Sequence, residues 1–114
     1  MMDEKLKELE GKIGKVPLIF HQLKDLDPEL YKSVMGLDQM VWKEGAVSKK
    51  TKKLIAVAIA CSMRDRHALR AQMAGAKHLG ITMAEMDEAL RVTFLLAGMP
   101  AYVYGKTAAE EMLK

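Results

Sequence analysis

The chain has one cysteine, few aromatic residues, no long apolar run and no strong excess of charge of either sign. With Cys61 as the only thiol, an internal disulfide and a cysteine-built metal cage are both excluded, and a reducing compartment is the natural setting. Aromatics are 5% of the 114 residues while hydrophobic residues are 50%, so aliphatic side chains and ten methionines must fill the core. The longest apolar run, Leu54 to Cys61, falls well short of the roughly 18 residues that a membrane-spanning helix requires. A formal net charge of +3 with both signs interspersed argues against nucleic acid. Such binding needs basic residues gathered on one face, and the clusters at 49–53 and 64–70 are short. Charged residues crowd the first dozen positions, which is not the pattern of a signal peptide. The expectation is a soluble cytoplasmic protein with no membrane or nucleic-acid partner.

What is present are helix signals. Leu, Met, Ala, Lys and Glu dominate, and all of them favour helix. No stretch alternates with a two-residue period between turn signals, and neither repeats nor low-complexity linkers occur. Asp3 to Gly11 reads as a short amphipathic helix with Leu6 and Leu9 on one side, and Pro17 to Leu26 as a second. Asp27-Pro28 supplies an N-cap and a proline at the first helical position, where its missing N–H costs nothing. The helix that follows carries Leu30, Val34, Leu37, Met40 and Val41 on its apolar side and is expected to stop at Gly45. Ser48 caps the next, with Leu54, Val57, Ala58 and Cys61 on one stripe. A turn at 63–65 leads into a helix with Leu69, Met73, Ala76 and Leu79 inward and Gly80 as terminator. Thr82 and Glu85 have capping-box spacing and open a helix with Met86, Ala89, Leu90, Thr93 and Leu96 inward. Gly98-Met-Pro100 interrupts it, and a last helix runs to the C-terminus. The fold class is therefore all-α: a single-domain bundle of about six helices, with 1–26 as an N-terminal arm and 27–114 as the core.

Within the helix from Asp65 to Leu79, residues Asp65, Ala68, Gln72, Ala76 and Leu79 share one face. That face joins the apolar stripe, so Gln72 is expected to be partly buried with its amide satisfied. Asp65 reads first as a helix N-cap. Arg66, Arg70 and Lys77 share another face, toward solvent or a partner.

These residues also carry a resemblance. Ala76-Lys-His-Leu-Gly80-Ile-Thr82, the acidic run Met83 to Ala89, Trp42-Lys-Glu-Gly45, Lys52 to Ala58 and Gly98-Met-Pro100-Ala101 stand in the order and spacing of one family. It is the carboxymuconolactone decarboxylase and alkylhydroperoxidase-D-like family, and the match spans roughly residues 35 to 105. The resemblance implies a helical protein that assembles into trimers or hexamers. In the family's redox branch it implies a Glu, a Cys-x-x-Cys pair and a His as the chemistry. Here Lys53 stands at the Glu position, Asp65 and Ala68 at the two cysteines, and Gln72 at the histidine. The histidine sometimes found between the cysteines has a counterpart in His67.

Asp65 and Ala68 cannot attack a peroxide or resolve a disulfide, and glutamine binds or orients without exchanging protons. Cys61 lies on the apolar stripe of its helix, upstream of the motif, and reads as a buried structural thiol. His67 and His78 are about 16 Å apart along one helix at 1.5 Å per residue, too far to share a metal within a subunit. His21 adds no ligand spacing, and no metal or cofactor is expected. Lys49, Lys50, Lys52 and Lys53 form a charge run that reads as a solvated helix start. Four cations there oppose the macrodipole and hint at an anionic partner.

Three functions follow. One is a thiol-free enzyme on a small acid or lactone, using Asp65 and His67 with Gln72 in the pocket. A second is a peroxiredoxin-type peroxidase acting through Cys61. The third, favoured over the second by the loss of all but one of the proton- and electron-handling positions and left level with the first, keeps the scaffold and a pocket for a small polar or acidic molecule, with Lys53 near its carboxylate. The apolar helix around Leu54 to Cys61 predicts a homo-oligomer with that helix at its centre.

Overall fold

The computed structural model describes residues 18–114, which form helices α1 (Leu18–Leu26), α2 (Pro28–Trp42), α3 (Lys49–Met63), α4 (Arg66–His78), α5 (Met83–Ala97) and α6 (Met99–Met112). No strand occurs among the described residues. The helix read at 3–11 lies outside them.

Helix starts are set by side chains that answer the unpaired N–H groups of the first turn. Asp27 accepts from Leu30 N, Ser48 from Thr51 N, and Asp65 from Ala68 N. Thr82 and Glu85 form a full capping box: Thr82 Oγ1 accepts from Glu85 N at 3.1 Å, and Glu85 Oε1 accepts from Thr82 N at 2.9 Å. That hydrogen bond, foremost, holds the Glu85 carboxyl below its ordinary value. The ends are set by backbone geometry. Gly80 and Gly98 turn at φ +75 and +94, where a side chain would be strained. Arg64 ends α3 in the same left-handed region, φ 59. A side-chain-bearing residue there costs roughly 1–2 kcal/mol that a glycine would not.

The core is built by α3, α4, α5 and α6. The closest pairings are α5 with α6 and α3 with α4, while α3 also packs on α5 and α6. Val57, Cys61, Leu69, Met73, Ala76, Met86, Leu90 and Ala109 fill the centre. Methionine and small residues do here what aromatics do elsewhere. Gly105 lets α6 press on α3 and α5: a Cβ there would lie 2.5 Å from Cys61 Sγ and 2.7 Å from Leu90 Cδ2. Lys106 ties α6 to α5 through Asp87 at 2.7 Å and to its own next turn through Glu110 at 3.0 Å.

Three sequence expectations need correction. Helix α2 ends at Trp42 rather than Gly45, because Lys52 reaches back from α3 and donates to the carbonyls of Val41 and Lys43. The buried side of α2 is Tyr31 and Met35, while Leu30, Leu37, Met40 and Val41 are exposed. Leu96, expected inside, is 81% exposed. An amphipathic period marks an apolar face, but it does not say whether that face meets its own chain.

Candidate functional site

The residue that decides the site is Lys53. It sits on the same stripe as Val57 and Cys61, at steps of four, and that stripe faces the core. Its side chain is therefore carried inward, and it is 0% exposed. The ammonium donates to Gln72 Oε1 at 2.7 Å and lies 3.9 Å from the centroid of the Trp42 ring. Three elements meet here: the end of α2, the first turns of α3 and the middle of α4.

Each contact has a physical reason. A buried ammonium loses its hydration and must be repaid by acceptors. The glutamine carbonyl supplies one acceptor and the indole face supplies a cation–π attraction. The hydrogen bond also fixes the amide: with Oε1 taken by Lys53, Gln72 presents its NH2 group away from the lysine. Gln72 is half-buried, as expected from its face of α4. The reading of the lysine run as a solvated helix start is corrected for half of its members. Lys49 and Lys50 are exposed, Lys52 caps α2, and Lys53 is buried.

Asp65 and His67 lie elsewhere. Asp65 is exposed and its Oδ1 accepts from Ala68 N at 3.0 Å as the N-cap of α4. His67 is exposed in the first turn of that helix. Of the residues singled out from sequence, the structure thus brings Lys53 and Gln72 together, with Asp65 and His67 at the surface start of α4. Trp42, quoted only for the family resemblance, proves to be the wall of the lysine's cage. Its position just before the lysine-rich helix was the one available signal.

Cys61 is fully buried between α3 and its neighbours. Burial pushes its thiol up from 9.0 to about 11, against a smaller opposing effect of a backbone hydrogen bond. The reactive species of a cysteine is the thiolate, and at neutral pH this group is held as the thiol.

Among the described residues, concavities stand apart from the lysine. A groove of about 590 Å³ runs between the start of α4 and α6, with buried Leu69 and Ala108 in its floor and Arg64, Arg66 and Arg70 on its rim. Sequence reading placed Arg66 and Arg70 on an outer face but did not foresee the groove. A smaller, mostly apolar hollow of about 240 Å³ lies between α3 and α5, lined by Ile59, Met63, Val92 and Leu96 among others, with Ser62 and Thr93 as its polar residues. Among the described residues, no cluster of three or more His, Cys, Asp or Glu could hold a metal ion. No helix of the described residues is long and apolar enough to cross a membrane.

The family model of the carboxymuconolactone decarboxylase family matches residues 28–111. The chain belongs to the carboxymuconolactone decarboxylase family. It is 37% identical over 91 residues to an uncharacterised protein of Methanocaldococcus jannaschii, covering 79% of this chain and 88% of that one. It is 31% identical over 74 residues to uncharacterised protein 4 of the cox locus of Paracoccus denitrificans, covering 65% of this chain and 67% of that one. Among solved structures, a carboxymuconolactone decarboxylase family protein from Legionella pneumophila superposes with a TM-score of 0.77 at 26% identity, over 98% of this chain and all of that one. A Burkholderia xenovorans protein proposed to be a carboxymuconolactone decarboxylase superposes with a TM-score of 0.81 at 20% identity, over 96% and 86%. The latter likeness speaks for the helical fold. Family and fold agree with the resemblance read from Trp42, Gly80, Thr82 and Gly98-Met-Pro100.

Proposed function

We propose that this family member binds a small polar or acidic molecule beside the Lys53–Gln72 pair, with weak or no catalysis, and that it does not reduce peroxides through a thiol. The observation that carries this reading is the 2.7 Å hydrogen bond between Lys53 and Gln72. By the resemblance, these are the Glu and His positions of the redox branch. Here a buried lysine and an amide that cannot titrate are hydrogen-bonded to each other. What the pair leaves on offer is the amide NH2 of Gln72, a donor suited to a carbonyl or carboxylate oxygen. The remaining redox positions are a helix cap, Asp65, and a methyl group, Ala68. Cys61, the one thiol, is buried and protonated at neutral pH. The experiment is a gain-of-function comparison. Asp65→Cys, Ala68→Cys and Gln72→His together should create hydroperoxide reduction with a dithiol reductant, while the parent shows none. Robust turnover by the parent sinks the reading.

The apolar surface supports assembly with copies of this chain. Ile59 and Met63 on α3 and Val92 and Leu96 on α5 are exposed around one hollow, and Ile55 and Leu95 are exposed on the same two helices, Leu95 at 82%. Contiguous apolar patches of this extent mark interaction surfaces. A homo-oligomer, with α3 near its centre, covers them. Light scattering at micromolar concentration tests this: a monomer refutes it, and Ile59→Glu should dissociate the assembly.

A further inference from the structure

We propose that the groove between α4 and α6 binds an organic anion with an apolar body, such as an aryl- or alkyl-carboxylate. Nothing in this inference depends on the Lys53–Gln72 pair, which does not line the groove.

The argument starts from size. At about 590 Å³ the groove falls within the range of small-molecule sites, and it gathers three arginines where a second hollow of about 470 Å³, lined by Arg91, Phe94, Leu95 and Tyr102, has one. Its floor is apolar: Leu69 and Ala108 are 2% and 7% exposed, and Val103 rises beside them. The rim is cationic. Three arginines face one carboxylate, Glu111, which is 2.7 Å from Arg70 and neutralises it. Arg64 and Arg66 have no ion-pair partner among the described residues. The net positive charge of the groove therefore sits at these two.

Guanidinium is the group best matched to a carboxylate, because its planar fork donates two parallel hydrogen bonds. Arg64 gains further interest from its backbone. It occupies a left-handed position at φ 59 where glycine is the unstrained choice, so the side chain is present in spite of the local conformation. A ligand that fits has its anionic head at Arg64 and Arg66. Its apolar body runs over Leu69, Val103 and Ala108, away from the carboxylate of Glu111. Tyr104 also lines the groove. A wholly apolar ligand leaves two cations unanswered, and a bare inorganic anion leaves the apolar floor uncovered.

The test is a nitrogen–proton NMR titration of the whole protein with 4-phenylbutyrate and, separately, with its uncharged amide. The expected result is saturable shifts at the backbone amides of Arg64, Arg66, Leu69, Val103 and Tyr104. The acid should bind at least about tenfold more tightly than the amide. Arg64→Gln with Arg66→Gln should erase that preference, whereas Lys77→Gln, a cation on α4 outside the groove, should leave it in place. Equal binding of acid and amide overturns the proposal, as does no saturation up to roughly 10 mM. Shifts centred on Gln72 and Lys53 also overturn it, while favouring the site beside that pair. If the double arginine variant instead changes the association state in light scattering, the groove is an interface between copies and the ligand proposal fails.

Discussion

Gly105→Ala is the most discriminating perturbation of the packing account. In an ordinary helix interior this change stabilises by about 1 kcal/mol, because alanine is the better helix former. At this position the added methyl would lie 2.5 Å from Cys61 Sγ and 2.7 Å from Leu90 Cδ2, distances that real carbon atoms do not tolerate. Cys61 and Leu90 are both 0% exposed, so neither can swing into solvent. Overpacking of this kind costs about 1–3 kcal/mol. The net expectation is a loss of about 0–2 kcal/mol after the helix gain is subtracted. For a chain of this length the upper end of that range lowers Tm by roughly 8 °C. Thermal or urea unfolding at one fixed protomer concentration reads it, since self-association shifts apparent stability. Cys61→Ala alone removes one buried sulfur and should cost on the order of 1 kcal/mol. The double variant is the critical sample. Removing Sγ makes room for the new methyl, so the two costs should partly cancel. A Gly105→Ala protein that melts higher than the parent refutes the close approach. So do costs that add to within about 0.5 kcal/mol, the behaviour of independent sites.

Gln72→Leu keeps the volume but removes an acceptor from the buried Lys53 ammonium, and should cost about 1–3 kcal/mol in urea unfolding; an unchanged midpoint would mean that the hydrogen bond contributes nothing. Thr82→Ala removes half of the capping box and should cost about 1 kcal/mol. Two Thr82 hydrogen bonds hold Glu85 below its ordinary 4.5: the larger, from the backbone N–H, survives in Thr82→Ala, and the hydroxyl's is removed, a contribution present above that pH and lost as pH falls through the lowered folded value. Below pH 4.5 the gap in Tm between parent and Thr82→Ala should therefore narrow. For Cys61 the sign is reversed. Its folded value of about 11 lies above the ordinary 9.0, so its contribution is complete below pH 9.0 and fades as pH rises toward 11. A colorimetric thiol reagent at pH 8 should label the native protein slowly and the urea-unfolded protein at once.

Much of this fold is legible in the chain because its helix boundaries are written in local chemistry. Asp27 with Pro28, Ser48, Asp65, Thr82 with Glu85, Gly80 and Gly98 act within a few residues of themselves, and each marks the boundary that the structure shows. The family resemblance rested on such local pieces and on their order. What the chain does not display is which apolar face meets which neighbour. Leu37, Met40 and Leu96 are indistinguishable in pattern from Met35 and Leu90, yet the first three are exposed and the last two buried. Lys53 is the instructive case at the site. As one of four lysines it reads as solvated, but its four-residue steps to Val57 and Cys61 place it on the core stripe. Periodicity outweighed charge, since Gln72 and Trp42 were there to receive the ammonium. The arginine groove was not foreseen because its walls, the 64–70 segment and α6, are remote in sequence, and only tertiary packing brings Arg70 against Glu111, 41 positions on.

The measurement that bears most directly on the account is steady-state hydroperoxide reduction by the unmodified protein, with an organic hydroperoxide and a dithiol reductant, at neutral pH. A buried Cys61 thiol held up to about 11, with Lys53 and Gln72 bound to each other, predicts no turnover above the rate of the reductant without protein. Turnover that saturates with peroxide and disappears in Cys61→Ala would contradict it.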